Sequence, residues 1–338
     1  MNAAAATHPP PPSPRVPLPS LAGAAPWLAR FRPPFAFGSF FAPEDTVLCA
    51  LATADALRRA PHARRLAELT AGSALVLAAQ LLDHPARTGV AAEVDPEVVG
   101  RARANLHALG LADRAHVRRI GLFSPRLAGW LRRVRPDVLA CNPPYVPEPP
   151  DAPGALVAGA GPRGDRHPRR LLRAAAEAGV ERVVLSWCSL GHPVGVLRTA
   201  VRAGYRLERL WVAAIADGEY TGDVHPYLRT LPSAYLSEDV GTLDALAPDE
   251  SARFAYLLLA GSLVRDGDEG AAARGARAIR RLGRMMRAFR GEGLAALERE
   301  RATPGVRLFA CDRWDELQMR ATAHGAARGE EPGEGPGG

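Results

Sequence analysis

The chain has 338 residues, of which 47% are hydrophobic and 23% are charged, and its formal net charge is +7. This length allows one large domain or two ordinary domains with a buried core, and the composition is typical of a soluble globular protein. The sequence has no apolar run of transmembrane length, and its start lacks the basic residues and unbroken apolar segment of a secretory signal. We therefore expect a cytoplasmic protein that makes no contact with a membrane.

The four cysteines, Cys49, Cys141, Cys188 and Cys311, do not form a CxxC pair. Their spacing predicts neither a disulfide framework nor a zinc site, and we expect no metal ion. The sequence contains no lysine, so all 43 basic residues are arginine. The positive net charge permits an anionic partner but does not require one.

Composition divides the chain into a main domain and its flanking regions. Residues 1–33 are rich in proline and alanine and lack periodicity, which predicts disorder. The main domain is expected at 34–265, with an insertion at 215–253. Beyond it we expect a basic helical extension at 266–327 and a flexible tail at 328–338.

From residue 64 to residue 212, apolar strand patterns alternate with helical patterns. Strands are expected, in chain order, in ARRLAELT, TGVAAEVD, HVRRIGLF, PDVLACN, ERVVLSW and YRLERLWVAAI, followed by FAYLLLAGSLV. Helices are expected in SALVLAAQLL, PEVVGRARANLHAL, LAGWLRRV, RRLLRAAAEAG and PVGVLRTAVRAG. Single helices between strands indicate parallel βαβ units. We therefore predict an α/β fold built on a doubly wound, seven-stranded and mostly parallel sheet.

Three strand ends carry residues that suit a ligand site. The first strand runs into ELTAGSA, where Gly72 would let the backbone approach a ligand. The second ends in AEVDP, which places Glu93 or Asp95 where a carboxylate can accept two hydrogen bonds from a ribose diol. The fourth ends in NPPY at 142–145, where two prolines fix φ and remove N–H groups. Because ligands of open α/β sheets bind outside the carboxyl ends of the strands, these ends predict one site.

Four stretches carry a resemblance to a known family: FFAPEDT, ELTAGSA, AEVDPEVVGRARANL and DVLACNPPYVPEP. Together they resemble the class I S-adenosylmethionine-dependent methyltransferases of the NPPY group. Within that group the chain is most similar, over roughly residues 38–265, to the N5-glutamine methyltransferases that modify peptide-chain release factors. The resemblance implies a Rossmann-like class I methyltransferase fold, S-adenosyl-L-methionine as the cofactor and a planar amide or amino nitrogen as the methyl acceptor.

The resemblance also implies roles for the NPPY residues. The side-chain oxygen of Asn142 and the carbonyl of Pro143 would accept the two N–H hydrogens of the target nitrogen. Pro144 would stiffen the segment, and the ring of Tyr145 would pack against the planar target. Acceptors placed in this way favour a pyramidal nitrogen and the charge that develops on it, so alignment accounts for much of the catalysis.

Cofactor contacts follow from the same resemblance. Glu68 and Gly72 would line the methionine end, and Glu93 would hold the ribose hydroxyls. The full set of expected cofactor contacts is Glu68, Thr70, Gly72, Glu93, Leu122 and Thr46. The segment that closes over the pocket would consist of Phe41, Pro43, Glu44, Asp45 and Thr46.

Three positions depart from the family pattern. Thr70 and Ala74 stand where the family has glycines in its first turn, and Gly121 stands where it has an acidic residue that accepts from the adenine amino group. Glycine permits a positive φ, which a β-branched threonine tolerates badly.

The sequence leaves three functions open. The first is methylation of a protein glutamine, for example in a translation release factor. The second is methylation of adenine N6 or guanine N2 in rRNA or DNA, since the NPPY segment also suits a flipped base and the basic helix at 271–290 could contact RNA phosphates. The third is a degenerate, non-catalytic binding subunit, which Thr70, Ala74 and Gly121 suggest.

Overall fold

The sheet of this protein has eight strands in the part of the chain that the computed structural model describes, which is residues 18–38, 42–151, 159–247 and 252–311. The strands are β1 (Arg65–Leu69), β2 (Thr88–Glu93), β3 (Ala115–Arg119), β4 (Val138–Cys141), β5 (Arg182–Cys188), β6 (Tyr205–Ala216), β7 (Ala255–Arg265) and β8 (Val306–Ala310). Their order is β3-β2-β1-β4-β5-β7-β6-β8. Only β7 runs antiparallel to its neighbours within these ranges. The predicted doubly wound, mostly parallel α/β sheet is confirmed.

Helices cover both faces of the sheet. The described α-helices are α1 (Pro43–Arg59), α2 (Leu75–Asp83), α3 (Pro96–Ala108), α4 (Leu127–Val134), α5 (Arg166–Glu177), α6 (Pro193–Arg202), α7 (Glu219–Gly222), α8 (His225–Thr230), α9 (Val240–Leu246) and α10 (Ala271–Glu300). The chain moves outward from β1 to β3 and then returns to β4 and β5. Because parallel crossovers are right-handed, this reversal puts α2 and α3 on one face and α4 and α5 on the other.

The expectation of disorder over 1–33 is wrong for its second half. A 3-10 helix forms at Pro26–Arg30, and Leu21, Leu28 and Phe31 are buried. The ring of Phe31 lies edge-on to Phe35, with centroids 4.9 Å apart. The apolar side chains among the prolines therefore supply enough burial to order this segment. The expectation for residues 1–17 lies outside the described residues.

The basic helix expected in the C-terminal region is present as α10, but it is not separate from the main domain. Helix α10 packs on α6 and β6, and β8 pairs in parallel with β6. Trp211 of β6 stacks on Phe309 of β8, with ring centroids 5.7 Å apart. As far as residue 311 the region belongs to the main domain, and the sheet has eight strands instead of the seven predicted. The tail expected at 328–338 lies outside the described residues.

The insertion between β6 and β7 contains α7, α8 and α9. Asp217 holds its two ends together, because one of its carboxylate oxygens accepts from the backbone N–H groups of Arg253 and Phe254 at 2.7 and 3.2 Å. The hydroxyl of Tyr227 donates to the carbonyl of Pro162 at 2.9 Å, which joins the insertion to the loop that follows the NPPY segment. Within the described ranges, no helix is both long enough and apolar enough to span a bilayer.

Candidate functional site

The turn between β1 and α2 adopts left-handed backbone at three positions. The φ angles are 53° at Thr70, 51° at Gly72 and 61° at Ala74. Glycine adopts this conformation without cost, whereas alanine and especially β-branched threonine are strained there. The hydroxyl of Thr70 donates to the carbonyl of Leu69 at 2.5 Å and lies 3.2 Å from the Cys141 sulfur. The two departures from glycine thus stand where the turn requires a positive φ.

Glu68 is buried at the end of β1, 4% exposed. Its Oε2 accepts the backbone N–H of Leu77, in the first turn of α2, at 2.8 Å. Burial, with a smaller contribution from the charge of Glu93, raises the pKa of Glu68 to about 8. At neutral pH this carboxyl group is therefore mostly protonated and can donate a hydrogen bond.

Glu93 joins the end of β2 to the β1–α2 turn. Its Oε2 accepts from the backbone N–H of Gly72 at 3.1 Å, and its Oε1 accepts from its own neighbour Val94 at 2.6 Å. A carboxylate has about four acceptor positions, so it can still accept from two hydroxyls. Asp95, the alternative in the sequence, instead caps α3 by accepting from the N–H of Glu97 at 2.8 Å.

The NPPY segment contacts the first turn of α1 through Asp45. The hydroxyl of Tyr145 donates to Asp45 Oδ2 at 2.6 Å, and the side chain of Asn142 also forms a hydrogen bond with this carboxylate. Because a carboxylate only accepts, it favours the orientation in which the NH₂ end of the Asn142 amide points toward it. The Asn142 Oδ1 is buried and has no hydrogen-bond partner among the described residues. Buried polar atoms are rarely left unpaired, so this oxygen is an acceptor that suits an N–H donor.

The electrostatics of this cluster follow from burial. Burial raises the pKa of Asp45, and the hydrogen bonds from Tyr145, Asn142 and Thr46 oppose that change. Burial and the nearby Asp45 hold the pKa of the Tyr145 hydroxyl well above its ordinary value. Tyr145 therefore remains a neutral donor to Asp45 at any physiological pH.

The loop that follows NPPY supports its backbone. Gly164 has a φ of +62°, and a Cβ at this position would overlap the carbonyl oxygen of Tyr145. The N–H of Ala160 donates to the carbonyl of Val146 at 2.9 Å, and Glu148 accepts from the N–H of Gly161 at 3.0 Å. The segment is thus fixed by its own prolines and by its contacts with residues 160–164.

The ends of β2 and β3 lie on the other side of the β1–α2 turn. Val94 is 60% exposed, and a Cβ at Gly121 would come 3.0 Å from its Cγ2 atom. Leu122 is buried, and its carbonyl accepts from Arg170 at 3.3 Å. An exposed valine beside an acid that can bind a diol offers an apolar surface to a flat ring.

The structure brings together most of the residues that the sequence singled out. Glu68, Thr70 and Gly72 meet Glu93 at the first two strand ends, and the NPPY residues lie at the end of the adjacent β4. Thr46 is connected to them through Asp45, while Phe41 lies outside the described residues. The sequence placed Asp45 only in a closing segment and missed its bonds to the NPPY side chains, for which the single cue was its acidic side chain in FFAPEDT. Among the described residues, no cluster of His, Cys, Asp or Glu could hold a metal ion.

Comparison with known proteins finds a curated sequence relative and several similar solved structures. No protein-family model matches the chain. The release factor glutamine methyltransferase of Geobacter sulfurreducens is 34% identical over 93 residues, which cover 28% of this chain and 30% of that protein. The chain therefore spans less than a third of the length of this curated relative. It resembles the release factor glutamine methyltransferases, as the sequence motifs indicate.

Several solved structures superpose on parts of the chain. The precorrin-6y C5,15-methyltransferase of Geobacter metallireducens is 17% identical, with a TM-score of 0.40 over 70% of this chain and 97% of that one. The ribosomal protein L11 methylase of Lactobacillus delbrueckii is 13% identical, with a TM-score of 0.38 over 70% and 84% of the two chains. An RNA methyltransferase of Salinibacter ruber is 19% identical, with a TM-score of 0.28 over 40% and 73%.

Proposed function

We propose that this protein is an S-adenosylmethionine-dependent N-methyltransferase whose acceptor is the side-chain amide of a glutamine, in a protein such as a peptide-chain release factor. The observation that carries the proposal is the buried, unpaired Oδ1 of Asn142, which Asp45 holds in place at the end of β4. The curated relative from Geobacter sulfurreducens supports the choice of a glutamine acceptor.

The strand-end residues fit S-adenosyl-L-methionine. Glu93 has the acceptor capacity for a ribose diol, and Val94 offers an apolar surface beside it. At Gly72 no atom lies within 4 Å of the position that a Cβ would take, so the turn leaves room for a ligand. Glu68 would stand at the methionine end. When bound, this cofactor supplies a methyl group activated by a sulfonium.

The chain's own residues would align the acceptor. Asn142 Oδ1 and the Pro143 carbonyl would each accept one N–H of the target amide. Two acceptors on the same nitrogen favour its pyramidal form and the positive charge that develops as it attacks. Asp45 keeps Asn142 from rotating, so the acceptor needs no reorganisation when the substrate arrives.

A nucleic-acid acceptor is the second candidate, and helix α10 favours it. Five arginines, spaced three or four residues apart, lie on one face of the helix: Arg277, Arg280, Arg284, Arg287 and Arg290. All five are exposed, and none forms an ion pair with another described residue. Such a row suits the phosphates of RNA. The acceptors on Asn142 and Pro143 would then bind the amino group of adenine or guanine.

A non-catalytic binding subunit is the third candidate, and the strained turn at Thr70 and Ala74 favours it. Calorimetric titration with S-adenosylmethionine separates it from the other two. Micromolar binding that Glu93→Gln weakens about tenfold or more would support a cofactor site, because hydrogen bonds to a charged group contribute about 1.5–3 kcal/mol. Absence of binding would favour the third candidate.

The experiment that tests the proposal is transfer of tritiated methyl from S-adenosylmethionine into a lysate from cells that lack this gene. Asn142→Ala serves as the control, and calorimetry verifies that this variant still binds the cofactor. The labelled product is then divided between protease and nuclease digestion. Label released only by protease, and absent with Asn142→Ala, would support the proposal. Label released by nuclease would favour the second candidate.

A further inference from the structure

Among the described residues, no helix packs extensively on one face of the sheet edge formed by β2 and β3. The helices that pack extensively on these strands are α2 and α3, and both lie on the opposite face. Residues alternate between faces along a strand, and the register pairs Val90 with His116. Ala115 and Val117 of β3 are buried, whereas His116 and Arg118 are exposed. The face of this edge opposite α2 and α3 is therefore basic.

Helix α4 forms the wall of a groove over this face, with a volume of about 780 Å³. Trp130 and Val134 contribute the apolar part of that wall. The basic residues that line the groove are Arg65, Arg114, His116, Arg118, Arg119 and Arg133.

These basic side chains come from four separate parts of the chain: β1, the α3–β3 turn, β3 and α4. Arg114 has a structural role, since it donates to four backbone carbonyls around the end of α2. Arg118 and Arg133, in contrast, form no ion pair or hydrogen bond with another described residue. Arg65 pairs with Asp137 at 3.6 Å, and Arg119 donates to the carbonyl of Val94 at 3.2 Å. Unpaired like charges that converge from distant parts of a sequence repel one another, so placing Arg118 and Arg133 together does not stabilise the fold. An anionic ligand would explain why they are placed together.

The basic surface continues around β3 to the other face. A second groove, of about 500 Å³, shares His116 and Arg118 with the first and adds Arg103 and His107 of α3. The two grooves together wrap the edge strand, which is about 16 Å long at 3.3 Å per residue. A single phosphate would occupy only part of this surface, whereas a chain of phosphates would use all of it.

We propose that this basic edge, defined by Arg65, Arg118, Arg119 and Arg133 with Arg103 on the far side, binds the phosphodiester backbone of a nucleic acid. A membrane is disfavoured because the surface is a groove and its largest apolar side chain, that of Trp130, is buried. β3 is separated from β4 by β2 and β1, so the strand that carries the basic edge lies about 14 Å across the sheet from the strand that ends in the NPPY segment. The inference concerns binding alone and does not depend on the identity of the methyl acceptor.

The test is fluorescence anisotropy of the full chain with labelled single-stranded RNA and, separately, DNA of about 20 nucleotides, over a series of salt concentrations. We expect Arg118→Glu/Arg133→Glu to weaken binding about tenfold or more near 100 mM salt. The slope of log affinity against log salt should fall by about 1.4, or about 0.7 for each lost phosphate contact. The RNA and DNA arms identify which backbone binds more tightly.

The matched control is Arg198→Glu/Arg202→Glu, which reverses the same amount of charge at two exposed positions of α6. The proposal is overturned if both double variants lose affinity equally or if neither nucleic acid binds. It is also overturned if poly-glutamate, at an equal concentration of charge, displaces the bound RNA or DNA. Loss confined to the α6 variant would likewise overturn it. Thermal unfolding verifies that the variants are folded, and Arg118→Gln/Arg133→Gln replaces the charge reversal if they are not. No methyl donor is present, so failure of this proposal is separate from failure of the proposed enzyme activity.

Discussion

The hydroxyl of Tyr145 donates to Asp45 Oδ2 at 2.6 Å and so joins the last residue of the NPPY segment to the first turn of α1. Asp45 also holds the amide of Asn142, whose oxygen is left unpaired among the described residues. One carboxylate therefore orients two of the four NPPY side chains. Its effect on catalysis would be indirect, through the direction in which the Asn142 oxygen points.

Replacing Asp45 with Ala should leave the Asn142 amide free to rotate. We expect kcat for methyl transfer to fall by about 10²-fold, which is the scale on which loss of one oriented polar contact acts on a transition state. The dissociation constant of the cofactor should stay unchanged. Tyr145→Phe is the control, because it removes a hydrogen bond to Asp45 but leaves the carboxylate that orients Asn142, and its kcat should fall less. Equal losses in the two variants would contradict the positioning role of Asp45.

Gly164→Ala should damage the NPPY backbone from outside the site. An alanine there would overlap the Tyr145 carbonyl oxygen, in addition to the cost of its positive φ. Gly179→Ala is a matched control, since Gly179 has a φ of +75° and nothing within 4 Å of its Cβ position. We expect Gly164→Ala to lower the free energy of unfolding by at least about 1 kcal/mol more than Gly179→Ala does, measured by urea denaturation. A difference near zero would show that the loop yields to the added methyl group.

Thr70→Gly should stabilise the protein. The left-handed backbone at Thr70 costs a β-branched residue about 1–3 kcal/mol, whereas glycine costs about 0.5–1 kcal/mol through the entropy of the unfolded chain. We therefore expect a gain of about 1 kcal/mol in the free energy of unfolding. Ala104→Gly, on the exposed side of α3, should instead lose about 1 kcal/mol because its backbone is helical. A loss in Thr70→Gly as well would mean that the contacts of its hydroxyl with Leu69 and Cys141 outweigh the strain.

Glu68 should make stability depend on pH. Its pKa is about 8 in the folded protein, compared with about 4.3 for an unfolded glutamate. Between these two pKa values the folded state binds one more proton than the unfolded state. The contribution of Glu68 to the free energy of unfolding therefore falls as pH rises. Glu68→Gln removes this term, and its stability relative to the wild type should be higher at about pH 8.5 than at about pH 5. Urea denaturation at both pH values checks this, with Glu97→Gln, at an exposed position, as the control. If Glu68→Gln and the wild type differ in free energy of unfolding by the same amount at both pH values, the prediction is contradicted.

Much of the fold could be predicted because its information is local. The strands β1 to β5 are short apolar runs between helical patterns, and each lies next to a strand close to it in sequence. β8 is only Val306–Ala310, and its partner β6 ends at Ala216, so no local pattern indicated the pairing. The burial of the segment around Leu21 could not be predicted either, because its apolar side chains are scattered among prolines and form no regular pattern.

In the candidate site, too, local sequence patterns could be predicted and contacts between distant segments could not. Glu93 and Asn142 could be located because each directly follows an apolar strand. The contact between Asp45 and Tyr145 could not, because it joins α1 to the end of β4 and depends on how the helix packs over the sheet. Which of Glu93 and Asp95 faces the site was also open in the sequence. The structure favours Glu93, because Asp95 is the N-cap of α3 whereas Glu93 accepts from the backbone of the β1–α2 turn.

The eighth strand has a consequence for how the domain assembles. The N–H of Leu21 donates to the carbonyl of Ala310 at 2.9 Å, and the N–H of Ala310 donates to the carbonyl of Pro19 at 3.0 Å. These two bonds close a loop that contains almost the whole described chain, and the entropy lost on closing a loop grows with its length. These two hydrogen bonds can form only after the sheet that lies between them in sequence has formed. Residues 19–21 and 310 would therefore be the last to gain protection from amide exchange during folding, and opening them would release both segments at once.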